Sequence, residues 1–331
     1  MKKGQYRFEF YLNQLNVLLI KAAQQKNPGL WLYQNNARTP LFMLEGLSKM
    51  YAALHNKKKF SKLKEHFKLL EDVLGAIDYY DSIAKDISNN KKISATIIGY
   101  LNAQSREKIQ SLNEMLVEEK WIKEGKSKIE KIRKKLMEAN WLDESEEIKG
   151  IENFYSDEIA KIVAFTQSTD YHFDNMEADV HELRRKLRWL SIYPQALQGC
   201  IQLAKSKAQP AASLKKYLTK EITTSAFNKM PLPTGCNFWL LLDTNIFYAL
   251  SWMIATLGKL KDEGLKIIAL KEALQQTSKS SEAAIIKEVY GLLGKKQTSL
   301  EKLLTEAEGI SKKFFAEKNL DKLVAGVSKK D

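Results

Sequence analysis

Cysteine, proline and acid are all scarce in this chain of 331 residues. Cys200 and Cys236 are the only cysteines, too few for a disulfide framework and without metal-site spacing. They read as reduced thiols of a cytoplasmic protein. No proline stands between Pro40 and Pro194, so nothing in that span compels a helix to break. Acids number 40 against 53 Lys and Arg, a net charge of +13. The excess is no tail, because residues 1–165 hold 28 basic against 22 acidic side chains and the remainder 25 against 18. Both halves therefore favour polyanionic partners. There is no Gly-rich phosphate loop, no H-E-x-x-H and no C-x-x-C. None of His55, His66, His172 and His181 has a glutamate three residues before it, which excludes the di-iron bundle pattern. No serine or cysteine has a recognisable base. The expectation is a protein without catalytic activity, cofactor or metal, with Asp78, Asp81 and Asp86 capping and solvating a helix.

Long uncharged runs are nearly missing too. The N-terminus is basic, but Glu9, Asn13, Gln14 and Asn16 follow, which suits an amphipathic helix and not a signal-peptide core. Phe238 to Leu257 is long enough to cross a bilayer. It contains Asp243 and Asn245, and an acid at mid-bilayer costs roughly 2.5–3.5 kcal/mol. A helix buried within a bundle is the better reading, and no membrane span is expected. The six tryptophans are scattered, as core packing demands, and form no clustered platform for stacked bases.

What the chain does have is helical periodicity. Leu, Ile, Lys, Glu, Ala and Met recur at i, i+3, i+4 and i+7. The pattern predicts helices at about 5–25, 37–55, 61–87, 93–119, 121–140, 144–166, 175–205, 240–276 and 281–317, with a short one near 320–327. No alternation of apolar and polar residues argues for a strand. An irregular stretch from about 206 to 238 carries Pro210, Pro231, Pro233 and Gly235, with Lys215, Lys216 and Lys220 early in it. A connection of that length is usually functional or mobile.

The most informative segment is His181-Glu-Leu-Arg184-Arg185-Lys-Leu-Arg188. At about 100° per residue, Arg184, Arg185 and Arg188 fall within roughly 60° of His181. Val180, Leu183, Leu187 and Leu190 gather on the far side, the mark of a helix with one buried face. Asp174, followed by Glu177, is a plausible N-cap. Arginine forks match phosphate oxygens bidentately, and histidine can gain charge beside an anion. The alternative is an ordinary solvated polar face. Against it, Glu182 is the one acid near the stripe. An internal echo accompanies it: Leu74-Gly75 is followed by Asp78 and Leu257-Gly258 by Asp262, each downstream of an arginine-bearing helix (Arg38 and Arg184). Glycine after leucine suits a helix C-cap, and the pairing suggests a duplicated helical unit.

At these residues the chain resembles the CHAD domain family, helical proteins named for their histidines and associated with inorganic polyphosphate. The family pattern sets a histidine, an arginine three later and a basic residue seven later on a long helix. His181, Arg184 and Arg188 match those places. In the first half Arg38 matches the arginine and Lys68 a basic place, while Asn35 stands where the histidine would be and Ser191 replaces a later basic residue of the second half. The resemblance covers most of 30–120 and 170–315. It implies an all-α fold of two pseudo-symmetric antiparallel helical-bundle halves with long helices, divided here as 1–165 and 166–331. It implies binding of a phosphate chain, without catalysis, in a basic groove between the halves. The candidate phosphate contacts are His181, Arg184, Arg185, Arg188, Arg38, Lys68, Lys49, Lys215 and Lys216, with Lys49 sharing its helix face with Glu45. The triphosphate-tunnel partner domain of some relatives would bring an E-x-E-x-K motif, which this sequence lacks. Inorganic polyphosphate is the first-ranked partner and polyphosphate granules a matching location. A nucleic-acid or general polyanion binder, and a helical scaffold without ligand, are the competing readings.

Overall fold

The computed structural model describes residues 2–122, 127–204, 209–233, 235–294 and 298–330. It is 74% helical with 13 helices and one small sheet. The fold is an all-α helical bundle. The helices are α1 (Lys3–Ala23), α2 (Pro28–Gln34), α3 (Arg38–Leu54), α4 (Lys57–Ile87), α5 (Ala95–Glu118), α6 (Lys128–Met137) and α7 (Glu144–Ser168). After a π-helical turn at Met176–His181 come α8 (Glu182–Ala196), the short α9 (Ala212–Lys215) and α10 (Lys220–Thr223), then α11 (Thr244–Thr277), α12 (Glu282–Leu293) and α13 (Leu300–Ala316). Polar caps start many of them: Asn27, Asn56, Ser94, Ser127, Asp243, Ser281 and Ser299 each accept a backbone N–H of the first turn. Ser127 and Glu130 complete a reciprocal capping box.

Strands do occur, contrary to the periodicity reading. β1 (Ile201–Ala204), β2 (Phe238–Asp243) and β3 (Val324–Lys329) form a sheet in the order β1-β2-β3. β1 pairs in parallel with β2, Ile201 opposite Leu240, and β2 pairs antiparallel with β3, Phe238 opposite Lys329. The expected helix 175–205 therefore stops at Ala196, that of 240–276 begins at Thr244, and 320–327 is a 3₁₀ turn followed by β3. The reason is length: a run such as Phe-Trp-Leu-Leu-Leu is apolar throughout, and period alone cannot tell a short buried strand from the start of a buried helix. The 281–317 stretch divides into α12 and α13, and 121–140 yields only α6, with 123–126 outside the described residues. The 206–238 connection is irregular apart from α9, α10 and one 3₁₀ turn, its positions 206–208 and 234 lying outside the described residues. No helix is long and apolar enough to cross a membrane among those described.

One hydrophobic core runs through both sequence halves. Val180, Leu183, Leu187 and Leu190 are each 0% exposed, as the α8 pattern requires. Each such burial stabilises by roughly 1.5–3 kcal/mol. A buried ionic knot ties α1, α3 and α7 together. Arg7, 2% exposed, donates from Nη1 to Tyr51 Oη at 2.8 Å and to Glu147 Oε2 at 2.6 Å, and the Tyr51 hydroxyl donates to Glu147 Oε1. Both cysteines are buried and unbridged.

Candidate functional site

The candidate site lies where α8 crosses α3, each helix backed by a long one: α4 behind α3 and α11 behind α8. Arg184 points from α8 onto α11. Its Nε donates to the Ile254 carbonyl at 3.2 Å. A Cβ placed on Gly258 would lie 3.0 Å from that same Nε, so glycine is what leaves room for the guanidinium. Arg38 does the equivalent in the first half. A Cβ on Gly75 would come 2.7 Å from Arg38 Nη2, and Arg38 Nε donates to Glu71 Oε1 at 2.7 Å, four residues before the glycine as Ile254 is before Gly258. Gly75 and Gly258 are thus seats for arginines within α4 and α11, not helix C-caps. A glycine kept inside a helix at a cost of about 1 kcal/mol has a packing reason, and here it is a side chain.

Arg188 completes the cluster. Its guanidinium lies 4.7 Å from the centre of the Phe42 ring, and Arg38 lies 5.3 Å from that ring, so one aromatic side chain sits beside cations from both halves. Burial first, then Arg184 and Arg38, press the Arg188 pKa down to about 10, with Glu71 opposing. Burial lowers Arg184 as well, opposed by Asp262. Both remain cationic at neutral pH. Among the described residues neither makes an ion pair, whereas Arg38 holds both Glu71 and, at 3.2 Å, Asp78. Two half-buried guanidiniums are thus crowded by a third and lack a carboxylate of their own.

The other predicted contacts are not gathered here. His181 Nδ1 is 2.8 Å from Glu177 Oε1, so the stripe has a second acid at its start. Asn175, not Asp174, caps this segment, accepting from the N–H groups of Glu177 and Ala178. Arg185 faces solvent and pairs with Glu182 at 2.7 Å; burial acts against its charge, but that pair, with Glu45 and Asp72 beyond, raises its pKa. Lys49 pairs with Glu158 of α7 and lies over Trp189 and Tyr193, not with Glu45 of its own helix. Lys68 pairs with Asp72 one turn on. Lys215 is exposed, and Lys216 is bound by Glu317 beyond α13. A lysine's reach is what sequence spacing cannot supply: Lys49 and Lys216 find acids more than 100 residues away in the chain.

Phe42 and Glu71 belong to the site and were not legible as members of it, while Glu45 was read only as a neighbour of Lys49 on its helix face. Glu45, 6% exposed, has its carboxyl pushed up to about 7 by burial, then by Glu71, with Lys68 opposing. The one available signal was register. Phe42 stands four residues after Arg38, as Arg188 stands four after Arg184. No group of three or more metal-ligating side chains occurs among the described residues. Comparison with known proteins finds no matching family model, curated protein or solved structure.

Proposed function

We propose that this chain is a diverged relative of the CHAD family that binds a phosphate-rich polyanion, inorganic polyphosphate first, without catalysing its cleavage. The observation that carries this reading is the pair Arg184 and Arg188, cationic, half-buried, beside Arg38 and without a carboxylate partner among the described residues. A phosphate group bridging them would relieve like-charge repulsion in a setting of reduced dielectric. Guanidinium forks present parallel donors to its oxygens. Phosphates further along the chain would meet Arg185 and Lys68, whose surface pairs with Glu182 and Asp72 are weak enough to exchange. Release of condensed counterions adds to the affinity and makes it salt-dependent. In this reading the protein works in the cytoplasm, on polyphosphate held in granules. The internal pairing of His181, Lys49 and Lys216 favours a second reading, a helical scaffold whose basic surface has no ligand.

Titration of long-chain polyphosphate at fixed ionic strength separates them. Each charge-assisted contact is worth roughly 1.5–3 kcal/mol, so Arg188→Ala should weaken binding about 10- to 100-fold. Lys215→Ala together with Lys216→Ala should change it little. Equal losses from both changes would reduce the site to general basic surface. Equal affinity for single-stranded DNA of matched charge would favour a general polyanion binder, and no affinity for either polymer the scaffold.

A further inference from the structure

A second concentration of charge lies on the other side of α4, in a cleft of about 630 Å³. Its walls carry Lys62 and His66 of α4, Lys120 just past α5, and Lys128, Lys131 and Lys135 of α6. Among the described residues six lysines line it against three glutamates, before His66 is counted. His66 and the site-facing residues of α4 are well separated around the helix: Glu71, Gly75 and Asp78 lie roughly 120–180° from it at 100° per residue. The two basic sites therefore flank one helix and cannot share a contact residue of it.

Some of the cations lining this cleft have an acid of their own and others do not. Lys128 is held by Glu119 at 2.6 Å, with its side chain 13% exposed, and lies 5.7 Å from the centre of the Trp121 ring. Among the described residues Lys62, Lys131 and His66 make no ion pair or side-chain hydrogen bond. Burial, then Lys128 and Lys135, hold the imidazole pKa down to about 4, with Glu119 opposing and Lys62 adding to the effect. The ring is therefore uncharged near neutral pH, and negative charge brought into the cleft would favour its protonated form. A volume of this order is that of a small-molecule site. Trp121 is 3% exposed and its ring is approached by Lys128, which leaves no aromatic face on which a base could stack. Ammonium groups act as point charges for phosphate oxygens.

From this arrangement we infer that the α4–α6 cleft is a second, independent anion site that takes a compact inorganic phosphate of high charge density and takes up a proton on His66 as it binds. The proposal does not depend on the arginine cluster, and the experiment keeps the two apart.

The probe is tripolyphosphate, titrated into the full chain carrying Arg184→Ala and Arg188→Ala, which strips the first site of its two arginines without a carboxylate partner. One equivalent should still bind. Adding Lys62→Gln and Lys131→Gln should weaken that binding at least tenfold. The His66 ring resonance, assigned by its loss in His66→Gln, should titrate near 4 in the free protein and near its ordinary value of about 6.5 in the complex. Between pH 7 and pH 5 the affinity should then rise roughly twentyfold more than in His66→Gln. That comparison cancels the probe's own ionisation. A His66 titration unmoved by saturating tripolyphosphate would overturn the proposal, as would undiminished binding to the Lys62→Gln, Lys131→Gln chain. The resonance arm needs no substitution that alters the cleft, so a poorly folded lysine variant cannot decide the matter.

Discussion

Glu45→Gln is the most direct probe of the electrostatics beneath the arginine cluster. Glu45 is 6% exposed, and burial followed by Glu71 raises its pKa from 4.5 to about 7, Asp72 adding to the rise and Lys68 and Lys64 opposing it. The folded state thus holds the proton more tightly than the unfolded chain. The associated stability is fully present below about pH 4.5 and is lost as pH rises through 7. At 1.36 kcal/mol for each pKa unit the whole effect is about 3 kcal/mol. The part falling between pH 5 and pH 8 is about 2.5 kcal/mol. Glutamine keeps the shape and never ionises. Relative to the parent, the variant should therefore gain about 2.5 kcal/mol on going from pH 5 to pH 8, equivalent to roughly 3–4 °C in melting temperature for a chain of this size. Urea or thermal unfolding at the two pH values measures it. Parallel pH profiles for the two proteins would refute the reasoning, because they would mean that Glu45 ionises as it does in water.

Arg7→Met should cost about 3–5 kcal/mol in urea unfolding, since it leaves the buried Glu147 charge unpaired, and adding Glu147→Leu should recover most of the loss. A single change costing under about 1 kcal/mol would show that the knot is open to water. Gly258→Ala should lower polyphosphate affinity, though less than Arg184→Ala, while leaving the far-UV CD spectrum unchanged, because a Cβ 3.0 Å from Arg184 Nε makes the guanidinium shift by a few tenths of an ångström; unchanged affinity would dissociate that seat from binding. Phe227 is 88% exposed in the irregular connection, so chymotrypsin should cut there first. First cuts within α4 or α11 would contradict the assigned packing.

Helical class and the buried face of α8 were legible from the chain alone. Val180, Leu183, Leu187 and Leu190 repeat at the helical period, and a periodic apolar stripe must be covered by something. The presence of arginine on the opposite face was equally plain. Its division was not: Arg184 and Arg188 turn inward against α11 and α3, while Arg185 turns out to Glu182. Long flexible side chains settle on partners that tertiary contact supplies, as when Lys49 chose Glu158, 109 residues away, over Glu45 one turn before it. The strands were hidden because β1 and β2 gain their identity from each other and from β3, more than 80 residues downstream of β2, not from any local pattern.

Sequence by itself therefore determined what has a local cause: the helix period, the buried face of α8 and the net charge. Only the tertiary structure decided which cations were left without an acid, because that depends on distances between helices. It also decided that Gly75 and Gly258 are seats for arginines and not helix ends, since a glycine's role is set by what approaches the space where its side chain would be.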